Sequence, residues 1–262
     1  MPKSKKRKPK KTERRHQPPA RSAARKPALR EFVSGPIRVR EARTVEELRE
    51  FERWASMAGA GGPRTAARLV EARTEGVLGA GLGDPDSSHE AMLAAVMRGD
   101  FEAVTWTRTM ALVATLDGEV VGGLLASPAA QFLGDLADKH NLAPTAVLGA
   151  VLFTCKLHFI AVSEPHRRRG VGEALMRAAV STAFLGGAQI MYGQFLSADR
   201  GLAEFYRRQG FTLMKPDTGL NFAAWLGGFP GGPMPLPGEQ FFCRDLTTID
   251  EAALRPRRAE LS

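Results

Sequence analysis

The sequence of 262 residues contains little cysteine, and this scarcity excludes two kinds of scaffold. Cys155 and Cys243 are its two cysteines, too few for a disulfide framework and too few for a structural zinc site. We therefore expect a protein of a reducing compartment that needs no metal.

Long apolar runs are also missing. No stretch approaches the roughly 20 apolar residues that a membrane-spanning helix needs. The first residues carry no apolar segment behind their charges, as a secretory signal would. These absences predict a soluble, cytoplasmic protein without a membrane span. The composition, 44% hydrophobic and 25% charged, is that of a globular chain that can bury a core.

Acidic residues are almost absent from residues 1–30. This segment holds 13 of the 37 Lys and Arg residues but one of the 28 Asp and Glu residues, so the rest of the chain carries a formal net charge of −3. With few bulky apolar side chains, the segment cannot offset the entropy lost on ordering. We predict a disordered basic tail over residues 1–35, whose residues 1–30 are a candidate binding segment for RNA, DNA or an anionic surface through counterion release. The alternative is a tail that only improves solubility.

Periodic patterns after the tail alternate between strand and helix and predict an α/β domain over residues 36–250, followed by a C-terminal tail over 251–262. Asp117-Gly118 is typical of a two-residue hairpin turn. Thr44 and Ser87 have capping-box spacing, and Pro63 suits the first turn of a helix. Strands are predicted over residues 37–40, 110–116, 119–126, 157–162, 188–196 and 239–244. Helices are predicted after Thr44, from Pro63, after Ser87, in part of 128–150, and over 170–185 and 200–209.

The most informative stretch is residues 157–172, where a buried strand runs into a basic turn that opens a helix. The first N–H groups of a helix lack internal partners, and the helix dipole adds positive charge there. Gly170 and Gly172 let backbone approach a ligand, and Arg167-Arg168-Arg169 adds cationic donors. This pattern indicates a pyrophosphate site. The alternative is an ordinary strand-to-helix turn; a dinucleotide-binding turn would need glycine where the chain has Leu175.

This turn resembles the signature of the GNAT acetyltransferase superfamily, Gln/Arg-x-x-Gly-x-Gly/Ala. A second match follows at residues 205–211, Phe-Tyr-Arg-Arg-Gln-Gly-Phe, at a spacing suited to a helix, a strand and a turn. The resemblance covers about residues 37–247 and implies a mixed, mostly antiparallel sheet flanked by helices. Many members have asparagine where this chain has Asp199, for which helix capping is the better interpretation.

The resemblance also implies where acetyl-CoA would bind. The cofactor would lie where the fourth and fifth predicted strands separate, its pyrophosphate on the turn and its pantetheine arm paired with the fourth strand as an added strand. The implied binding residues are Ile160, Ala161, Val162, Arg167, Arg168, Arg169, Gly170, Val171 and Gly172.

Two residues are candidates for acid–base chemistry. Tyr206 matches the position that many family members use as general acid, and the alternative is a tyrosine that packs in the core. His158 is a candidate general base and is expected to share a strand face with Ile160 and Val162; the alternative is a structural histidine. Cys155 is expected on the opposite face from His158, as a buried apolar residue rather than an acyl carrier.

We therefore expect an acetyl-CoA-dependent N-acetyltransferase that acts on a primary amine by direct transfer in a ternary complex. The alternative is a non-catalytic acyl-CoA-binding or RNA-associated protein with the same fold. Trp54, Trp106, Trp225 and Phe132 are candidate walls of an acceptor pocket, although aromatic residues are more often core.

Overall fold

The computed structural model describes residues 31–60, 64–82, 85–227, 229 and 231–250. These residues form one mixed β-sheet with helices on both faces. Its strands within these ranges are β1 (Phe32–Ser34), β2 (Ile37–Glu41), β3 (Met110–Leu116), β4 (Glu119–Ser127), β5 (Thr154–Val162), β6 (Ile190–Leu196), β7 (Thr212–Leu213) and β8 (Glu239–Asp245). The helices are α1 (Val45–Met57), α2 (Thr65–Thr74), α3 (Pro85–Met97), α4 (Phe101–Thr107), α5 (Ala130–His140), α6 (Pro144–Phe153), α7 (Val171–Leu185), α8 (Arg200–Arg208) and α9 (Ala223–Leu226).

The order of the strands is β1-β2-β3-β4-β5-β6-β8-β7. Every neighbouring pair is antiparallel except β5 and β6, which are parallel. The predicted fold class, a mostly antiparallel mixed sheet flanked by helices, is confirmed. The fourth and fifth strands of the sequence prediction are β5 and β6, because β1 adds a strand at the start.

Local sequence explains several element boundaries. Asp117 and Gly118 have φ values of 53° and 86°, the left-handed backbone that a tight β3–β4 turn requires. The Thr44 side chain accepts from the Glu47 N–H and Glu47 bonds back, so the capping box that starts α1 is formed. Gly187 has a φ of 84° just after α7, where a left-handed glycine commonly ends a helix.

Apolar residues cover both faces of the sheet. Helix α7 packs on one face, and its buried Leu175 belongs to the same cluster as Leu124 and Leu157 of the strands. Helices α1 and α2 pack against Leu125 and Phe159 on the other face. Helices α5, α6 and α9 contribute to a third cluster that covers β6 and β8. Both faces of the sheet are therefore covered by helices, and the turns lie at the ends of its strands.

A β-bulge interrupts β5. Leu125 of β4 lies opposite Phe159 and Ala126 lies opposite Leu157, so His158 is the extra residue. Because one residue is inserted, the alternation of side chains shifts at this point. Leu157 and Ile160 pack toward the α7 cluster, whereas Phe159 packs toward α1 and α2.

Several boundaries differ from the sequence predictions. Phe32–Ser34 of the predicted tail pair with β2 as strand β1, so regular structure begins before Ile37. Helix α4 was not predicted, α2 begins at Thr65, and α3 begins at Pro85 rather than after Ser87. Residues 1–30 and 251–262, with most of the predicted tails, and Pro63 lie outside the described residues. Across the described ranges, no helix combines the length and apolarity needed to cross a membrane.

Candidate active site

The parallel strands β5 and β6 pair over only three residues. Thr154, Cys155 and Lys156 lie opposite Ile190, Met191 and Tyr192, after which the pairing stops. Strand β5 continues for six residues to Val162 and stays paired with β4, while β6 continues for four residues to Leu196 and stays paired with β8. The two facing edges beyond Lys156 therefore carry backbone N–H and C=O groups that no strand of the described residues satisfies.

The turn at the end of β5 is fixed to the strand that precedes it. Arg167 donates from Nε to the Val162 carbonyl oxygen over 3.2 Å. Ser163 Oγ lies 2.9 Å from His166 Nδ1, and the Ser163 N–H donates to the Val121 carbonyl over 2.8 Å. These bonds hold the basic turn against the strand end, directly before α7.

Helix α7 begins at this turn, and its first N–H groups have no hydrogen-bond partner among the described residues. Gly170 precedes the helix with φ 83° and ψ −3°, and no side chain caps it. The first N–H of the helix with an internal partner is that of Ala174, which donates to Gly170 over 2.9 Å. The N–H groups of residues 171–173 and the positive end of the helix dipole thus face the turn, an arrangement that binds phosphate groups.

The residues predicted to bind the cofactor come together here. A Cβ added at Gly172 would lie 3.8 Å from Val162 Cγ2 and 3.6 Å from the Phe205 ring, so the helix start lies close to the strand end. The side chains of Arg167, Arg168 and Arg169 are exposed. Arg168 has a φ of 58°, a left-handed backbone in the same turn as Gly170.

A cavity of about 830 Å³ lies on the α1–α2 face of the sheet, beside the bulge in β5. Its strand residues include Ser127, Lys156 and His158, and buried Leu125 and Phe159 also line it. Helices contribute residues of mixed character, namely Arg68, Glu102, Trp106, Phe132 and Asp135. A cavity of this size with apolar walls and a few polar groups is typical of a small-molecule site.

His158 is directed into this cavity, and the expectation that it shares a face with Ile160 and Val162 is wrong. The bulge separates them, because Ile160 and Val162 pack toward α7 while His158 lines the cavity with Phe159. The imidazole Nε2 lies 2.7 Å from Ser127 Oγ, and that hydroxyl also lies 3.1 Å from the Pro128 carbonyl oxygen. If the hydroxyl donates to Pro128, His158 Nε2–H donates to Ser127 and Nδ1 is left as an acceptor.

The surroundings keep His158 neutral. Two effects lower the pKa of His158 to about 4. The larger is burial by the protein around the ring, and the smaller is the positive charge of Lys156. The ring remains open to the cavity, so an acceptor that displaces water there would strengthen this shift.

Tyr206 lies in an aromatic cluster rather than in the cavity. It is 5% exposed, and its ring stacks on Phe242 with centroids 3.7 Å apart. Burial, followed by the charge of Asp199, raises the pKa of Tyr206. Its hydroxyl is not among the buried polar atoms that lack a partner in the described residues. Asp199 itself caps α8, since its Oδ1 accepts from the Leu202 N–H over 2.9 Å.

The remaining candidates are divided by burial. Trp106 and Phe132 line the large cavity, Trp54 is fully buried in the α1 core, and Trp225 lines a separate apolar cavity of about 230 Å³. Cys155 is 4% exposed on the α7 side, and burial raises its pKa to about 12, so its thiol is not ionised at neutral pH. No three His, Cys, Asp or Glu residues approach one another as metal ligands within the described part of the chain.

Ser127 and Lys156 are residues of this site that no sequence pattern predicted. Ser127 is the last residue of β4, and it lies opposite Lys156, the third residue of β5, in the β4–β5 ladder. Neither belongs to a motif, and their proximity to His158 depends on strand pairing and on the bulge. A partial signal was available for Lys156, a charged residue directly before the strand predicted over residues 157–162, although the strand itself begins at Thr154.

Residues 84–211, just under half of the chain, match the model of the acetyltransferase (GNAT) family. This range contains the gap between β5 and β6, the basic turn and both candidate catalytic residues. No curated protein matches the sequence.

Solved structures similar to the chain are remote. The protein yncA from Salmonella typhimurium, whose structure contains its cofactor acetyl-CoA, is 16% identical, with coverage of 86% of this chain and 99% of its own and a TM-score of 0.46. Ard1 from Thermoplasma volcanium is 16% identical, with coverage of 80% of this chain and 97% of its own and a TM-score of 0.44. The ribosomal-protein-S18-alanine N-acetyltransferase from Escherichia coli is 12% identical, with coverage of 82% of this chain and 97% of its own and a TM-score of 0.43. With TM-scores below 0.5, these similarities do not identify a substrate.

Proposed function

We propose, on the premise that residues 84–211 form an acetyltransferase domain of the GNAT family, that the chain transfers an acetyl group from acetyl-CoA to a primary amine. The transfer is direct, in a ternary complex. The observation that carries this proposal is the gap between β5 and β6, which leads to the uncapped start of α7. The open strand edge leads to the helix start, and this arrangement suits an acyl-CoA. Its extended, amide-containing arm matches the strand edge, and its pyrophosphate matches the helix start.

The cofactor end of this site is built mainly from backbone. The pyrophosphate accepts from the N–H groups of residues 169–172, and the exposed arginines of the turn add positive charge. The pantetheine arm pairs with the open edge of β5 at residues 160–162, as an added strand would. This direction along β5 takes the acyl end from Val162 toward Lys156, where the strands converge.

The acceptor occupies the cavity beside His158. Its neutral amine attacks the thioester carbonyl carbon, so a C–N bond forms, the C–S bond breaks, and CoA leaves as a thiolate that takes up a proton. His158 serves as the candidate proton acceptor. Because burial lowers its pKa to about 4, it is ready to accept at neutral pH but is a weak base, and any acidic limb that it causes lies near pH 4.

Tyr206 is the candidate proton donor to the thiolate. Its raised pKa keeps the hydroxyl protonated at neutral pH, as a general acid requires before it donates. Its ring stacks on Phe242, with the two centroids 3.7 Å apart. Asp199 is assigned to capping α8 rather than to the cofactor.

Steady-state kinetics with a panel of acceptors tests this proposal. Full-length protein is mixed with acetyl-CoA and small amines, amino acids or peptides, and the release of CoA thiol is measured. The proposal expects acceptor-dependent release with intersecting double-reciprocal lines, the pattern of a ternary complex. Parallel lines would indicate a covalent intermediate. Acetyl-CoA binding without release by any acceptor would favour the non-catalytic acyl-CoA-binding alternative.

A further inference from the structure

Lysine is rare in the chain outside its first 30 residues. Residues 31–262 contain three lysines, Lys139, Lys156 and Lys215, against 21 arginines. Lys139 and Lys215 are exposed, whereas Lys156 is half-buried. Lys156 thus differs from the other two in being partly enclosed by the fold.

The position of Lys156 places it at the point where β5 and β6 begin to separate. It is the last residue of β5 that pairs with β6, opposite Tyr192. Its side chain lines the large cavity together with His158. The distance along β5 from Val162 to Lys156 is about 20 Å at roughly 3.3 Å per residue. An arm extended along this edge from the start of α7 therefore runs toward Lys156.

The charges around the cavity leave Lys156 without a close anion. Arg68 also lines the cavity, and its guanidinium forms an ion pair with Glu102, with 2.7 Å between Nη2 and Oε1. No carboxylate of the described residues lies within 4.0 Å of the Lys156 ammonium; Glu239 acts on it electrostatically from farther away. Burial lowers the pKa of Lys156, and Glu239 only partly opposes this effect. A larger fraction of Lys156 is therefore neutral, and nucleophilic, than of an exposed lysine.

We propose that Lys156 is a self-acetylation site, modified by the acetyl-CoA bound to the same molecule when no acceptor fills the cavity. The inference rests on the proposed function. The Nζ lone pair attacks the thioester carbonyl carbon, the new C–N bond replaces the C–S bond, and the proton lost by Nζ is taken up by the CoA thiolate. The products are an acetyl-lysine and free CoA, with no other reactant.

This modification changes the site that carries it. The amide removes a positive charge and adds an acetyl group on the wall of the cavity, beside His158. Because a stable amide does not pass its acetyl group on, the modified molecule is a product and not an intermediate. The reaction depends on an empty cavity, so an accepted amine protects Lys156.

Peptide mass spectrometry on the wild-type chain tests the proposal. Full-length protein is incubated with acetyl-CoA and no amine, at two protein concentrations, and acetylation at each lysine is followed over time. We expect Lys156 to be acetylated at least tenfold faster than exposed Lys139, at a rate independent of protein concentration and saturable in acetyl-CoA. An accepted amine should slow this labelling. Equal rates at Lys156 and Lys139, or a Lys156 rate that rises with protein concentration, would overturn the proposal.

Two variants check the labelled position. Lys139→Arg should keep the labelling of Lys156, and Lys156→Arg should lose it, while circular dichroism verifies that each variant is folded.

Two further measurements, calorimetry of acetyl-CoA binding and amine-dependent CoA release, separate this inference from the proposed function. Both are made on the same preparation. Amine-dependent release together with an unmodified Lys156 would overturn self-acetylation alone. Absence of acetyl-CoA binding would overturn the proposed function, and any label would then be equal at Lys139 and Lys156.

Discussion

The two tyrosines of the chain carry their hydroxyl groups in different surroundings. Tyr206 stacks on Phe242 and is the candidate general acid, whereas Tyr192 is 1% exposed and its hydroxyl is buried without a partner in the described residues. Tyr206→Phe keeps the ring and removes only the hydroxyl. We expect kcat to fall by roughly 10²–10⁴-fold with acetyl-CoA affinity nearly unchanged, as for loss of an acid that acts in the transition state. Steady-state kinetics and calorimetry measure the two quantities.

Tyr192→Phe is the matched control for this prediction. It removes the same atom from a hydroxyl that no reaction step uses, so kcat should not change. Because the lost hydroxyl had no partner, the free energy of unfolding should stay equal or rise, by up to about 1–3 kcal/mol. An equal kcat in Tyr206→Phe and the wild type would reduce Tyr206 to a packing role.

His158 should make stability depend on pH. Its folded-state pKa, about 4, lies below the value of about 6.5 of an unfolded histidine. The unfolded chain therefore binds a proton first as pH falls, and the free energy of unfolding decreases between pH 6.5 and pH 4. Denaturant unfolding at pH 7 and pH 5 should give a smaller pH-dependent loss in His158→Gln than in the wild type. Equal losses of unfolding free energy in the variant and the wild type would mean that the pKa of His158 is the same in the folded and the unfolded chain.

At this scale, the sequence motif predicts the residues of the turn but not the direction of His158. The identities of Gly170, Gly172 and Tyr206 are explicit in their motifs. The direction of His158 depends on a bulge opposite Leu125 and Ala126, which a period-two pattern cannot contain. Lys156 and Ser127 enter the site only through strand pairing, so no local pattern marks them.

Helix α8 carries Tyr206, and its start depends on Asp199. The Asp199 carboxylate accepts from the Leu202 N–H at the helix start. Asp199→Ala should lower the free energy of unfolding by about 0.5–2 kcal/mol, the usual effect of losing an N-cap. Acetyl-CoA affinity should not change, and Asp199→Asn should restore most of the stability. A large loss of acetyl-CoA affinity with unchanged stability would instead assign Asp199 to the cofactor.

Elements with strong local signals were predicted, and elements that depend on tertiary pairing were not. The β3–β4 hairpin, the cap of α1 and the extent of α7 follow from nearby residues. Strand β1 has three residues beside a basic segment and exists through its pairing with β2. Helix α4 has seven residues, and its one clear signal is Asp100, which accepts from the Ala103 N–H.

For the whole molecule, charge separates residues 1–30 from the rest of the chain. Residues 1–30 carry 13 Lys and Arg residues against one acid. Removing them should abolish salt-sensitive binding to RNA or heparin and leave turnover of a small amine unchanged. Filter binding over a salt series and CoA-release kinetics measure the two effects. Equal RNA affinity in the shortened protein would contradict the prediction.

The central feature, the gap between β5 and β6, is a property of the whole sheet. Residues 154–156 and 190–192 pair in parallel across more than 30 residues of sequence, and the sequence does not indicate where such pairing stops. The resemblance supplied the expectation of a gap, and the register supplies its position. The proposed acetyl-CoA site therefore consists of this gap and the start of α7 together.

Calorimetric titration of acetyl-CoA into two glycine variants tests this claim most directly. Gly170→Glu and Gly187→Glu place the same side chain on left-handed backbone at opposite ends of α7, with φ values of 83° and 84°. The strain is therefore matched, and only Gly170→Glu puts a carboxylate at the proposed pyrophosphate position, where it repels the ligand. We expect acetyl-CoA to bind more than tenfold more weakly to Gly170→Glu and with wild-type affinity to Gly187→Glu. Wild-type affinity in Gly170→Glu would contradict this claim.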